Sequence, residues 1–299
     1  LTADTGTGKT WTLADLALSV AAGEPVWGQF AVHRPGAVLY LDEENGPAEL
    51  SRRFSKLAHG RGLTKIILPV MALSHAGLRV DDPEGLDSLL RLVREHRPVL
   101  VILDSLIRFH SQDENSNTGM ARVTAALRRV THEGPAVLSA HHPRKIGGIG
   151  VSNAAIERGR GAKEGVAGLD SYLFARPLVD GSISVEIAKL RHGIPLSPFT
   201  LKIEDTPEGA TCVTHLGESD TDTDKLDQAR QDMILAAQDA GGTIDRKTLL
   251  AIVTEEGHST RTARRALDEL REAGVLSDAG FKDARKRLRL DLSKLVADE

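Results

Sequence analysis

Short aliphatic runs alternate with amphipathic stretches over the first two hundred residues. Runs at 37–41, 66–70, 99–103, 136–140 and 171–175 predict buried strands. Between them, 11–22, 47–60, 84–96 and 120–132 carry apolar residues at helical spacing. Strands that are aliphatic throughout, separated by helices, predict an α/β fold: a mostly parallel sheet with helices on both faces. From Ser182 the rhythm changes to paired strands at 182–190, 199–204 and 211–215, with turn residues between them.

Residues 217–225 read GESDTDTDK, polar and without apolar periodicity, and predict a linker between a first domain at 1–216 and a second at 226–299. The second domain carries three helical patterns, near 226–240, 246–256 and 259–273, then short apolar runs at 274–276 and 287–290. Three helices followed by two short strands are the plan of a small winged helix-turn-helix domain.

Candidate chemistry begins at the N-terminus, where residues 3–10 read ADTGTGKT. This fits the phosphate-binding pattern GxxxxGK(S/T), with Ala3 in place of the first glycine. Backbone N–H groups of Asp4, Thr5, Gly6, Thr7 and Gly8 converge on phosphates when the residues are small. Lys9 then reaches the β and γ phosphates of a nucleotide, and the Thr10 hydroxyl ligates Mg²⁺. The helix opening at Thr10 and Trp11 aims its positive end at the same anion. A buried strand is expected ahead of such a loop, and only Leu1 and Thr2 stand there, so most of that strand is expected to be missing.

The run 99–103 ends in Asp104, the form of a second metal anchor; capping of a following helix is its bland alternative. Another strand ends in Asp42, Glu43 and Glu44. Hydrolysis needs a carboxylate that activates water, for which Glu44 ranks first and Glu43 second, against a solvated acidic loop. His141 and His142 follow a further strand without a cysteine, histidine or aspartate at metal-site spacing, so a polar γ-phosphate sensor is the economical reading, with His142 the functional one.

Charge and composition narrow the picture. The 299 residues carry 38 basic against 42 acidic side chains, which excludes a polycation or an acidic disordered chain. Cys212 is the single cysteine, so no internal disulfide forms and a reducing, cytoplasmic setting is expected. No apolar run approaches the ~20 residues of a bilayer span, and no membrane partner is expected.

The order of these motifs resembles the RecA-like ATPase core, and within it the plasmid RepA-type and DnaB-type hexameric helicases. The likeness covers residues 1 to about 205. It implies ATP and Mg²⁺ as cofactors and a homo-oligomer, a hexameric ring by preference. It also implies that Lys189 and Arg191, in the segment Lys189-Leu190-Arg191-His192-Gly193, act on the neighbouring subunit's ATP; a protected basic edge strand is the alternative. The basic, glycine-rich loop 143–165 would face single-stranded DNA in a central channel through Arg144, Lys145, Arg158 and Arg160, the alternative being that Arg160 or Lys163 contacts nucleotide. No aromatic residue interleaves there, so binding by charge is expected. In the C-terminal domain, nine basic side chains against five acidic lie between His258 and Arg289. Arg261, Arg264 and Arg265 fall on a helix that resembles a recognition helix for duplex DNA, and protein docking is the competing use of that fold.

The expectation is thus an ATP-hydrolysing motor acting on DNA in replication of a plasmid, phage or mobile element. The alternatives are a RecA- or RadA-like recombination or repair ATPase, and a DNA-binding regulator that uses ATP as a switch.

Overall fold

The structure, a computed structural model, describes residues 1–3, 6–114, 116–141, 168–178, 180–194, 196–219, 221–279, 287–291 and 293. The chain divides into two units, one formed chiefly by residues up to Glu218 and the other by residues from Ser219 onward.

In the first unit, β2 (Val38–Asp42), β3 (Val70–Ser74), β4 (Leu100–Asp104) and β5 (Ala136–Ser139) form a parallel sheet in the order β3-β2-β4-β5. Alternate side chains serve opposite faces. Val38, Tyr40, Leu100 and Ile102 pack in one cluster with Leu13 and Ala17 of α1 (Lys9–Ala22) and with Leu50 and Leu57 of α2 (Pro47–Gly60). Leu39, Leu41, Val101 and Leu103 pack in a second cluster with α3 (Pro83–His96) and α4 (Asn117–His132). A strand covered on both faces is aliphatic at every position, which is why β2 and β4 read as unbroken runs.

β1 (Thr2–Ala3) is hydrogen-bonded on both sides. The Ala3 N–H donates to the His141 carbonyl and the His141 N–H to the Leu1 carbonyl, while Thr2 and Ala3 pair in parallel with β6 (Ser171–Pro177). β5 therefore stands between β4 and β1, the strands that lead to Asp104 and to the glycine-rich loop. Beyond β6 the sheet turns antiparallel through β7 (Ile183–Leu190), β8 (Phe199–Asp205) and β9 (Thr211–Glu218).

Two expectations change. The run at 66–70 is not a strand: β3 starts at Val70, and Ile66 and Ile67 are exposed. Pro69 has no N–H for a ladder, and the register that matches β2 begins with Val70 opposite Val38. The stretch 217–225 is divided between the end of β9 and the start of α5 (Thr221–Asp239). An acidic, threonine-rich stretch suits a helix N-terminus as well as a linker.

The second unit runs α5, β10 (Thr243–Asp245), α6 (Arg246–Glu255), α7 (Thr260–Glu272), β11 (Leu276–Asp278) and β12 (Arg287–Leu290), with antiparallel strands in the order β10-β12-β11. β10, only three residues long behind Gly241 and Gly242, escaped the periodicity. Leu226, Ala229, Met233, Leu249, Val253, Ala263, Ala266, Leu267 and Leu270 form its core. A buried His258 ring shares a 2.7 Å hydrogen bond with Asp232 and ties α5 to the turn before α7.

An ion pair fixes α1 against the end of α2. Arg61 donates to both carboxylate oxygens of Asp15, at 2.6 and 2.7 Å, and to Glu24 at 3.1 Å. Asp15 is 1% exposed; burial pushes its carboxyl up, and the guanidinium pulls it back. Arg61→Ala leaves that carboxylate without its guanidinium and with a backbone hydrogen bond from Trp27, a change that costs about 3–5 kcal/mol for a buried pair. The low end is expected because Asp15 can take up a proton. Urea unfolding at neutral pH measures the loss, and Arg61→Lys recovers part of it.

Candidate nucleotide site

The glycine-rich loop ends in two left-handed residues, Gly6 (φ 85°) and Gly8 (φ 84°). Only glycine takes this backbone without cost, and a Cβ on Gly8 would also meet the Ile203 side chain at 2.4 Å. Gly8 is the N-cap of α1 and makes no side-chain capping hydrogen bond. Thr7, Lys9 and Thr10 are buried, and the Lys9 ammonium donates to the Ala3 carbonyl at 2.7 Å. Asp4 and Thr5 lie outside the described residues.

The parallel register sets Asp42 directly beside Asp104 at the C-terminal ends of β2 and β4. Asp104 is 1% exposed and accepts hydrogen bonds from the Thr10 and Tyr40 hydroxyls, the latter at 2.9 Å. Burial pushes its carboxyl up, those two bonds pull it down, and the charges of Asp42 and Glu44 push it up again. Asp42 turns its oxygens to its own loop. Oδ1 accepts from the Glu44 and Asn45 N–H groups, both at 2.8 Å, and Oδ2 from the Asn45 amide at 2.9 Å.

That turn separates the two glutamates. Glu43 accepts from the Gly77 N–H at 2.9 Å, in the loop after β3. Glu44 is exposed, accepts a short hydrogen bond from the Ser105 hydroxyl, and is close enough to Asp104 to raise its carboxyl. The Asp104–Ser105 peptide is cis. Lys9, Thr10, Asp104 and Glu44 thus meet at one sheet edge. Asp42, Tyr40 and Ser105 belong to the same cluster as supports; of the three, the sequence marked only Asp42, as one of the acids at a strand end.

Trp11 lies half-buried on the first turn of α1, with Arg52, Arg53 and Lys56 of α2 at 5.6, 5.3 and 5.9 Å from its ring centroid. Such contacts contribute about 0.5–1 kcal/mol each at an exposed site and join α1 to α2. The His141 backbone joins β5 to β1, and its ring shares a 3.0 Å hydrogen bond with Glu114. Lys189 ends β7, two strands away from β1. Arg191 is exposed, continues the ladder to Asp170, and pairs with the Asp170 carboxylate at 3.2 Å. Burial first, and then Arg191, push the Lys189 ammonium down. His142, Arg144, Lys145, Arg158 and Arg160 lie outside the described residues. In the other unit, Arg261, Arg264 and Arg265 lie exposed on α7, Arg265 bonded to Glu269 at 3.0 Å.

A glycine turn at a helix N-terminus, a buried lysine and a strand-end aspartate on the next strand but one define a P-loop nucleotide-binding core of RecA-like α/β type. Residues 1–148 match the family model described as an AAA domain (AAA_25). That match supports a P-loop ATPase of the AAA type for this segment, a group that binds its nucleotide usually with Mg²⁺. Mg²⁺ takes hard oxygen ligands and is held by one or two carboxylates together with water and substrate phosphates. The hydrogen-bonded Thr10 hydroxyl and Asp104 carboxylate fit that demand and would hold the ion. Among the described residues no group of three or more His, Cys, Asp or Glu forms a separate metal cage, which Mg²⁺ does not need.

Gly8→Ala forces a side chain into a left-handed position, at about 1–2 kcal/mol, besides displacing Ile203. Binding of a fluorescent ATP analogue is expected to weaken roughly tenfold or more while the chain stays folded, as a titration with parallel circular dichroism would check.

Proposed function

We propose that the chain is an Mg-ATP-hydrolysing motor acting on DNA, of the replicative helicase type that serves plasmids, phages or other mobile elements. The observation that carries the reading is the convergence of Lys9, Thr10, Asp104 and Glu44 at one sheet edge, on a core with β5 between β4 and β1. Lys9 and the loop N–H groups hold the phosphates, and Thr10 and Asp104 hold the metal. Glu44 orients and deprotonates water: it is exposed, anchored by Ser105, and next to the buried Asp104. Glu43, tied to Gly77, organises the neighbouring loop.

The working form in this reading is a homo-oligomeric ring, hexameric by preference. Lys189 and Arg191 enter the neighbouring subunit's site and stabilise charge on the transferred phosphoryl group. Their place at the far end of β7, with Arg191 exposed, supports the assignment. Single-stranded DNA passes the loop carrying Arg144, Lys145, Arg158 and Arg160. The helix–strand–helix–helix–strand–strand order of the second unit supports a winged helix, and α7 is its candidate surface for duplex DNA.

One observation favours a second reading, a DNA-binding regulator switched by ATP: cations gather on the early turns of α7, a duplex contact that needs no translocation. ATPase rates with and without single-stranded DNA test the motor. Stimulation by DNA is expected, with Lys9→Ala inactive and Glu44→Gln at least about a hundredfold slower, the scale of a lost general base. Glu43→Gln should retain most activity. Absence of stimulation by any DNA, or equal rates for the two glutamine variants, would sink the motor or the Glu44 role respectively. Strand displacement abolished by Lys9→Ala would exclude the pure switch. For the second unit, the double change Arg261→Ala with Arg264→Ala is expected to weaken duplex binding and to lower its salt slope by about one for each phosphate no longer neutralised. DNA-independent ATPase should not change.

A further inference from the structure

Tyr40 is the odd residue of β2. It occupies the middle of an otherwise aliphatic strand, 0% exposed, in the cluster that packs α1 and α2. Its ring meets Phe54 of α2 edge-to-face at 5.3 Å. Phenylalanine would fill nearly the same space. A buried hydroxyl costs free energy unless it finds a partner, and this one donates to Oδ2 of Asp104 at 2.9 Å.

We propose that Tyr40 is a positioning residue for the metal carboxylate, an inference that rests on the Mg-ATP reading of the site. An ionised carboxylate offers about four acceptor positions and can swivel about its last bond. Thr10 and Tyr40, arriving from α1 and from the neighbouring strand, occupy two of them and fix the plane of the group. The remaining lone pairs keep one direction for a hydrated cation. The Tyr40 dipole also offsets the repulsion that Asp42, the register partner of Asp104, and Glu44 impose on it. Because the ring rests on Phe54, the carboxylate is braced against α2, the helix that follows the Glu43–Glu44 turn.

Tyr40→Phe removes one oxygen and keeps the ring. Mn²⁺ serves as the probe, titrated by electron paramagnetic resonance into the full-length chain saturated with a non-hydrolysable ATP analogue. About tenfold weaker Mn²⁺ binding is expected, the lower end for loss of a hydrogen-bond partner behind a metal ligand. Analogue binding in EDTA and the melting temperature should stay near the parent's. A merely structural role would move those two instead. Tyr172→Phe, which removes the chain's other tyrosine hydroxyl, should leave Mn²⁺ binding unchanged. A folded Tyr40→Phe chain that binds Mn²⁺ as tightly as the parent overturns the proposal. If Tyr40→Phe does not fold, 3-fluorotyrosine incorporated into the Tyr172→Phe chain supplies a stronger donor at Tyr40 alone. Tighter Mn²⁺ binding then supports the proposal, and unchanged binding overturns it. A parent chain that binds no nucleotide at all refutes the ATPase reading instead, so the two failures are distinguishable.

Discussion

Two nearly inaccessible carboxylates side by side are the constraint around which the first unit is arranged. Asp42 and Asp104 face each other across adjacent parallel strands and are 0% and 1% exposed. Taking one such charge from water costs several kcal/mol unless it is answered by hydrogen bonds or a cation. The two are answered differently. Asp42 is bonded to the N–H groups and amide of its own following turn, so it shapes a loop. Asp104 is bonded to hydroxyls from α1 and β2, and burial still holds its carboxyl up. A carboxylate served by two hydroxyls next to two other acids is suited to a cation, and Asp42 by its own bonds is not. The same turn that satisfies Asp42 leaves Glu44 in solvent beside Asp104 and sends Glu43 to Gly77. One aspartate's local hydrogen bonds therefore set the two glutamates apart.

Much of this core was legible in the sequence because burial on both faces leaves no polar position in a strand. β2, β4 and β5 fall within a residue or so of their aliphatic runs, and α2 matches its amphipathic stretch. The failures have local causes. At 66–70 hydrophobicity pointed to a strand, but Pro69 and the register with β2 moved it to Val70. β1 and β10, at two and three residues, are too short for a period of two to show. The acidic stretch 217–225 carries no apolar signal, so its helical half was hidden until α5 placed it.

The site was legible in its anchors and not in its supports. Lys9, Thr10 and Asp104 sit in a spacing that chemistry imposes, so pattern alone finds them. Three acids in a row give no such information: the roles of Asp42, Glu43 and Glu44 depend on a turn closed by backbone N–H groups. The Asp15–Arg61 pair joins residues 46 apart in sequence, and Tyr40 and Asp104 are 64 apart. Periodicity does not reach such pairs, because they are fixed by which helices and strands pack together. The histidine pair divides likewise. His141 carries the β1–β5 bridge through its backbone and pairs with Glu114 through its ring, while His142 lies outside the described residues.

α7 departs from what helix stability alone prefers. Arg261 lies in its first turn with Arg264 and Arg265 in the second, and Asp268, Glu269 and Glu272 lie toward the far end, where Arg271 also stands. The helix holds because its inward face is buried, Ser259 accepts from the Thr262 N–H at 3.0 Å, and Glu269 pairs with both Arg230 and Arg265. Charges set against the dipole do not help this helix to form, so they call for another explanation. In the reading proposed above, the cations of the early turns are the part of this helix that an anionic partner would meet.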